Sequence, residues 1–102
     1  INMFTPVTLD KARNVSFGFG AMRMFKGMTG KSLTKVNFEE EDVEDLIPTM
    51  IYCGLKHEDP ELTVEKTVEL IDQYLGFNKT MELITQAFKN SGLSVEEKPG
   101  KN

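Results

Sequence analysis

The sequence lacks the residues on which several classes of protein depend. Its 102 residues include no tryptophan, one cysteine and one histidine. A single cysteine excludes an internal disulfide and suits a reducing cytoplasm, and a zinc site ordinarily needs more His and Cys ligands than this. No run approaches the ~18 apolar residues of a membrane span, and the opening residues lack the pattern of a secretory signal. We therefore expect one small cytoplasmic domain with no metal, no cofactor and no membrane contact.

Two fragments resemble phosphate-binding loops but lack the other residues that such loops need. The GKS at residues 30–32 ends like a Walker loop, but Phe25 stands where that motif has its first glycine. The GFG at residues 18–20 lacks the third glycine of a dinucleotide-binding turn. We interpret Gly27 or Gly30 instead as the residue that ends a helix in the left-handed conformation.

The sequence also contains no convincing arrangement of catalytic side chains. His57 is followed by Glu58 and Asp59, a combination that predicts a solvated loop more readily than a metal site. Cys53 falls on an apolar helix face, which predicts an inert buried thiol. No pairing of Ser or Cys with His has supporting local context. We therefore expect an interaction module and not an enzyme.

The net charge of −4 is unevenly distributed. Residues 1–37 carry six Lys or Arg against one Asp, a balance of +5, whereas residues 38–75 carry twelve acids against two Lys, a balance of −10. Two regions of opposite charge favour head-to-tail contacts with another copy or contacts with a basic partner. The simpler alternative is that the acidic residues form a solvated helix face. The acidic residues make nucleic acid a poor candidate partner.

The first third of the chain predicts a β-hairpin followed by a helix. Residues 4–9 and 14–19 are rich in β-prone side chains, and residues 10–13 between them suit a turn. Apolar residues then recur at helical spacing over residues 20–28.

The middle of the chain has the clearest helical periodicity. Apolar residues recur at steps of three and four at Val43, Leu46, Ile47, Met50, Ile51 and Leu55. Pro48 interrupts this pattern, so we expect either a kink near Ile47 or a helix in which Pro48 lies in the first turn. Residues 56–62 read as a loop, since Pro60 disfavours helix before it.

The last third predicts two short helices. Thr63 is a good N-cap for the first, Gly76 ends it, Asn78 caps the second, and Gly92 stops that helix. The fold class is therefore mainly α, with about four short helices and an N-terminal β-hairpin. We expect residues 1–92 to form this domain and residues 93–102 to be a flexible tail.

The order of these segments carries a resemblance to a known family. The stretches VTLDKARNVSFGFGAMRMFKGMTG and DLIPTMIYCGLKHEDPELTVEKTVELIDQYLG, followed by a final amphipathic helix, resemble the tail assembly chaperones of long-tailed bacteriophages, particularly those of Gram-positive hosts. The similarity runs from Val7 to Gly92. Its most distinctive parts are FGFG at residues 17–20 and GLKHEDPELT at residues 54–63. Lys66 departs from the family, which commonly has an acid there.

This resemblance implies a non-catalytic protein of the host cytoplasm that is absent from the finished virion. Such a chaperone coats the tape measure protein until tail tube subunits polymerise around it. Members tend to form homo-oligomers, and many also exist as a longer frameshifted form. Two alternatives remain open: a head–tail connector or tail completion protein that stays in the virion, and a host regulatory adaptor.

Two groups of side chains are the candidates for binding a partner. We expect exposed apolar residues to meet apolar side chains of the partner, namely Met22, Met24, Phe25 and Phe77. We expect the acidic belt, residues 39–45, to pair with basic groups of the partner or of a neighbouring copy through Glu39, Glu40, Glu41, Asp42 and Asp45.

Overall fold

Two antiparallel strands open the part of the chain that the computed structural model describes, residues 3–93. Strand β1 spans Phe4–Thr8 and strand β2 spans Ala12–Ser16, with Thr8 opposite Ala12. The second strand begins two residues earlier and ends three residues earlier than predicted. The reason is a shorter loop, because the chain reverses within residues 9–11, where the backbone N–H of Leu9 donates to the carbonyl of Lys11 at 3.0 Å.

Helix α1 spans Phe19–Thr29 and ends at a glycine in the left-handed conformation. Gly30 has a φ of 76°, and its N–H donates to the carbonyl of Lys26 at 2.8 Å. Gly30 therefore ends this helix, and Gly27 lies within it. A short 3-10 turn, Leu33–Lys35, follows before the acidic belt.

Helix α2 spans Val43–Leu55 and is continuous through Pro48. Because Pro48 is the sixth helical residue, the prediction that it lies in the first turn is wrong. The helix starts earlier because the carbonyl of Asp42 accepts from the N–H of Leu46 at 3.0 Å. Pro48 removes only the hydrogen bond that would reach back four residues, and burial of the apolar stripe along this helix offsets that loss.

Only Leu75 separates helices α3 and α4. Helix α3 spans Val64–Tyr74, and Thr63 caps it as predicted, accepting at Oγ1 from the N–H of Lys66 at 3.0 Å. Gly76, with a φ of 80°, ends α3 and is also the first residue of α4, Gly76–Asn90. Asn78 consequently lies inside the first turn of α4, and the prediction that it caps this helix is wrong. The sharp turn at Gly76 leaves no extended residue to act as a cap.

Gly92 follows α4 with a φ of 82°, as expected of a residue that stops a helix. The predicted flexible tail falls almost wholly on residues 94–102, which lie outside the described residues. Within residues 3–93, no helix is long and apolar enough to cross a membrane. The mainly α fold with an N-terminal hairpin agrees with the sequence-based prediction.

Helix α2 lies at the centre of the fold and packs against β2, α1 and α3. The helix approaches the hairpin closely at Gly54, where an added Cβ would lie 2.7 Å from a methyl carbon of Val15 and 2.9 Å from the ring of Phe17, just after β2. Phe17 also contacts Phe88 of α4 edge to face, with ring centroids 5.1 Å apart. This packing brings one side of α1 against α2 and leaves a groove between them.

Candidate functional site

An open groove runs along the junction of α1 and α2. One half, of about 360 Å³, is lined by Ser16, Gly18, Gly20, Ala21, Met24, Cys53, Lys56 and His57. The other half, of about 380 Å³, is lined by Met28, Thr29, Lys31, Glu41, Asp42, Asp45, Leu46 and Thr49. The two halves are neighbouring cavities: Cys53 Sγ, which lines the first, lies 3.9 Å from Met28 Sδ, which lines the second. We call the whole the α1–α2 groove.

Each helix contributes one stripe of side chains to this groove. From α1 come Ala21, Met24 and Met28, at steps of three and four residues. From α2 come Asp45, Thr49 and Cys53 at steps of four, and Lys56 follows just after the helix. The N-terminal part of α1 faces the C-terminal part of α2, so the helices are antiparallel. The lining residues run from Asp45 to Lys56, so the groove is about 16 Å long at 1.5 Å per residue.

The first half of the groove has an apolar floor. Ala21 and Met24 are half-buried, and Cys53 is buried. Burial raises the pKa of the Cys53 thiol to about 11, so this group stays protonated near neutral pH and behaves as a small apolar side chain. The sequence-based prediction of a buried thiol is confirmed.

The second half of the groove is acidic. Glu41, Asp42 and Asp45 line it together with one cation, Lys31, whose Nζ lies 3.3 Å from Glu41 Oε1. Asp42 precedes α2 but makes no side-chain capping bond to it. The carboxylates of Asp42 and Asp45 are exposed and leave this end with an excess of negative charge. We call the two parts the apolar half and the acidic half.

The hairpin and the loop before α3 frame the apolar end of the groove. The backbone N–H of Asn14 donates to Glu58 Oε1 at 2.9 Å, and Asn14 Nδ2 donates to Glu58 Oε2 at 3.0 Å. The Nε2 atom of His57 lies 2.8 Å from the carbonyl oxygen of Asn14, and the His57 ring stacks on Phe4 with centroids 5.5 Å apart. These contacts fix the loop to β2. The sequence had predicted a solvated loop here, without these contacts.

The four apolar candidates from the sequence occupy different environments. Met24 lines the apolar half of the groove. Phe25 has no exposed surface and belongs to the core, so its assignment to a binding surface is wrong. Successive residues of a helix lie about 100° apart, which turns Phe25 inward while Met24 faces the groove. Met22 is half-buried outside the groove, and Phe77 is 59% exposed at the start of α4, away from it.

The five acidic candidates fall into two groups. Glu41, Asp42 and Asp45 line the acidic half of the groove, whereas Glu39 and Glu40 are exposed in the turn before it. Met28 belongs to the apolar stripe of α1 but was not among the predicted partner-binding residues, although it is 49% exposed and lines the groove. Its spacing of four residues from Met24 was the available signal, since such residues share a helix face.

Within residues 3–93, no group of three or more His, Cys, Asp or Glu side chains is placed to hold a metal ion. No family model, curated protein or solved structure matches the chain. The shape and charge of the α1–α2 groove, together with the resemblance in sequence, are therefore the observations that bear on function.

Proposed function

We propose that the chain is a bacteriophage tail assembly chaperone. In this role it covers apolar segments of the tape measure protein, its client, until tail tube subunits polymerise around that protein. The observation that carries the proposal is the α1–α2 groove, which offers an apolar floor beside an excess of carboxylates. Grooves of this kind accept the apolar face of an amphipathic helix. The resemblance in sequence supplies the identity of the client.

Two methionines suit the groove to an irregular client. Met24 and Met28 are unbranched and have polarisable sulfur atoms, so each can adapt to apolar side chains of different shape. A long client presents many segments that differ in detail. Because these methionine side chains can change conformation, one binding site can cover segments that differ in shape.

The small size of the groove favours weak individual contacts. A site about 16 Å long buries less surface than the 1,200–2,000 Å² of a typical stable interface. Copies that also associate with one another along one extended client gain occupancy through avidity, while each copy can still be displaced. Tail tube assembly requires that the chain can be displaced from the client. The acidic half adds a charge contact with the client, and salt weakens that contact.

The proposal includes non-catalytic action in the host cytoplasm, association with further copies of the chain, and absence from the finished virion. A head–tail connector or tail completion protein would instead remain in the particle. Mass spectrometry of purified virions therefore separates these two roles, since stoichiometric amounts of the chain in virions contradict the chaperone role.

Co-expression with the tape measure protein of the same tail gene cluster tests the proposal. We expect the chain to keep that protein in the soluble fraction. Replacing Met24 and Met28 by Glu should return it to the pellet, because two carboxylates cannot be buried against an apolar stripe. A matched control, Gln73→Glu with Thr85→Glu, adds the same charge at exposed positions of α3 and α4. This variant should keep the tape measure protein in the soluble fraction.

Each outcome of this experiment has a separate meaning. A tape measure protein that stays insoluble with the native chain contradicts the proposed function. Equal loss of solubility with the groove variant and the control variant contradicts the assignment to the groove. Urea unfolding of both variants verifies that they fold. The exposed aromatic residue Phe77 stays a predicted second contact, and Phe77→Ser in the same assay measures its contribution.

A further inference from the structure

We propose that the α1–α2 groove binds a single client helix in a defined register. In that helix, apolar residues at positions i, i+4 and i+7 lie on the apolar floor, and a basic residue at i+11 reaches the acidic half. The inference rests on the proposed function, because it specifies which segments of the client are covered. It also makes a claim about recognition that can be measured without any phage protein.

The apolar part of the register follows from the spacing along α1. Ala21, Met24 and Met28 line the groove over seven residues, or about 10 Å of helix. A helix lying parallel to α1 places residues i, i+4 and i+7 over the same length, on one face. Three apolar side chains therefore suffice to cover the floor.

The position of the basic residue follows from the spacing along α2. The contact between Cys53 and Met28 sets these two side chains at one level of the groove. Asp45 precedes Cys53 by eight residues, about 12 Å further along α2. A client residue at i+11 lies about 6 Å beyond i+7 along the groove. A long Lys or Arg side chain spans the remaining ~6 Å to Asp45. Arginine fits best, because its guanidinium can bind a carboxylate through two hydrogen bonds.

Charge complementarity selects a basic residue in this place. Lys31 is the cation that lines the acidic half, and it lies beside Glu41. Asp42 and Asp45 remain exposed and negative at the same end. The basic residue must also share the face of the apolar stripe. Position i+11 lies about 20° from i around a helix, whereas position i+9 lies about 180° away.

Two synthetic peptides of identical composition test the register. Each is a labelled 18-residue helix with leucine at i, i+4 and i+7, and a single arginine stands at i+11 in one peptide and at i+9 in the other. Fluorescence anisotropy with the full chain measures both affinities. We expect the i+11 peptide to bind about tenfold more tightly. Because both peptides carry the same charge, general attraction to an acidic protein cannot produce this difference.

Two charge reversals in the protein sharpen the test. Asp45→Lys should abolish the preference for arginine at i+11 and should favour a third peptide with glutamate there. Glu65→Lys, the matched control, reverses an exposed acid in the first turn of α3 and should keep the native preference. Both variants lose a favourable carboxylate at a helix N-terminus, so their effects on helix stability are comparable.

The possible outcomes distinguish this inference from the proposed function. Equal affinity for the two arginine peptides, or no binding of either, overturns the register even where the chain keeps the tape measure protein soluble. Clear discrimination supports the register even where that protein stays insoluble. Anisotropy at rising protein concentration tests the other occupant, a second copy of the chain. A copy seated in the groove would compete with the peptide and weaken its binding, and that result would overturn the inference.

Discussion

The guanidinium of Arg13, in β2, donates from Nη1 to Asp59 Oδ2 at 3.1 Å, although 46 residues separate the two along the chain. Arg13 also donates from Nε and Nη2 to the two carboxylate oxygens of Asp10, at 2.9 and 3.0 Å. Its side chain is 5% exposed. A single buried cation therefore joins the hairpin loop to the loop before α3, whose residue His57 lines the apolar end of the groove.

The first prediction concerns the geometry of this cation. Arg13→Lys keeps the positive charge but cannot bind Asp10 through two hydrogen bonds while also reaching Asp59. We expect the free energy of unfolding to fall by about 1–2 kcal/mol. Urea denaturation measures it, with Arg23→Lys as the control because Arg23 is exposed on α1. Equal stability of the two variants would show that the charge alone matters.

The second prediction concerns pH. Hydrogen bonds from Arg13 hold the pKa of Asp10 and Asp59 below the ordinary 3.8, and a hydrogen bond from Asn14 holds the pKa of Glu58 below the ordinary 4.5. These groups release protons more readily in the folded state. Their contribution to stability is therefore fully present above these ordinary values and is lost as the pH falls below them.

Urea midpoints between about pH 6 and about pH 2 check this dependence, and the midpoint should fall on acidification below these ordinary values. Asp59→Asn should make the decline shallower, since one of the three carboxylates is then missing. Glu65→Gln, on the exposed face of α3, controls for the loss of any one carboxylate. A decline as steep in Asp59→Asn as in the native chain would contradict the lowered pKa of Asp59.

The third prediction concerns Gly54. Alanine normally stabilises the interior of a helix relative to glycine. At this position its Cβ would lie under 3 Å from Val15 and Phe17, which are both fully buried. We expect Gly54→Ala to destabilise the fold by about 1–3 kcal/mol. Gly27→Ala in α1, where a Cβ meets nothing within 4 Å, should stabilise it by about 0.5–1 kcal/mol. The two urea midpoints should therefore move in opposite directions.

Local chemistry explains which parts of the fold could be predicted from the sequence. Thr63 has a hydroxyl that caps its own helix, and Gly92 adopts a left-handed backbone, so neighbouring residues determine both features. The place of Pro48 in a first turn and the capping role of Asn78 were predicted wrongly, because the start of a helix also depends on the residues that precede it in the fold. The burial of Arg13 depends on Asp59, which is distant in sequence, so no local pattern could reveal it.

The candidate site was predictable in part for the same reason. Helical spacing identifies a stripe that contains Met24 and Met28, and charge identifies the acidic belt, but neither pattern shows that they line one groove. That proximity arises because α1 and α2 pack antiparallel. Spacing alone also cannot tell which side of α1 faces the core. Phe25 was consequently assigned to the surface although it is fully buried.

The methionine methyl groups provide the most direct test of the central claim that the α1–α2 groove covers the client. The chain has six methionines, so ¹³C-methyl labelling gives a resolved probe at each one. On addition of a soluble tape measure fragment, the account predicts shifts at Met24 and Met28. The signals of Met50, in the core, and Met81, on α4, should stay in place. Binding that shifts Met81 and leaves Met24 and Met28 unchanged would contradict the account.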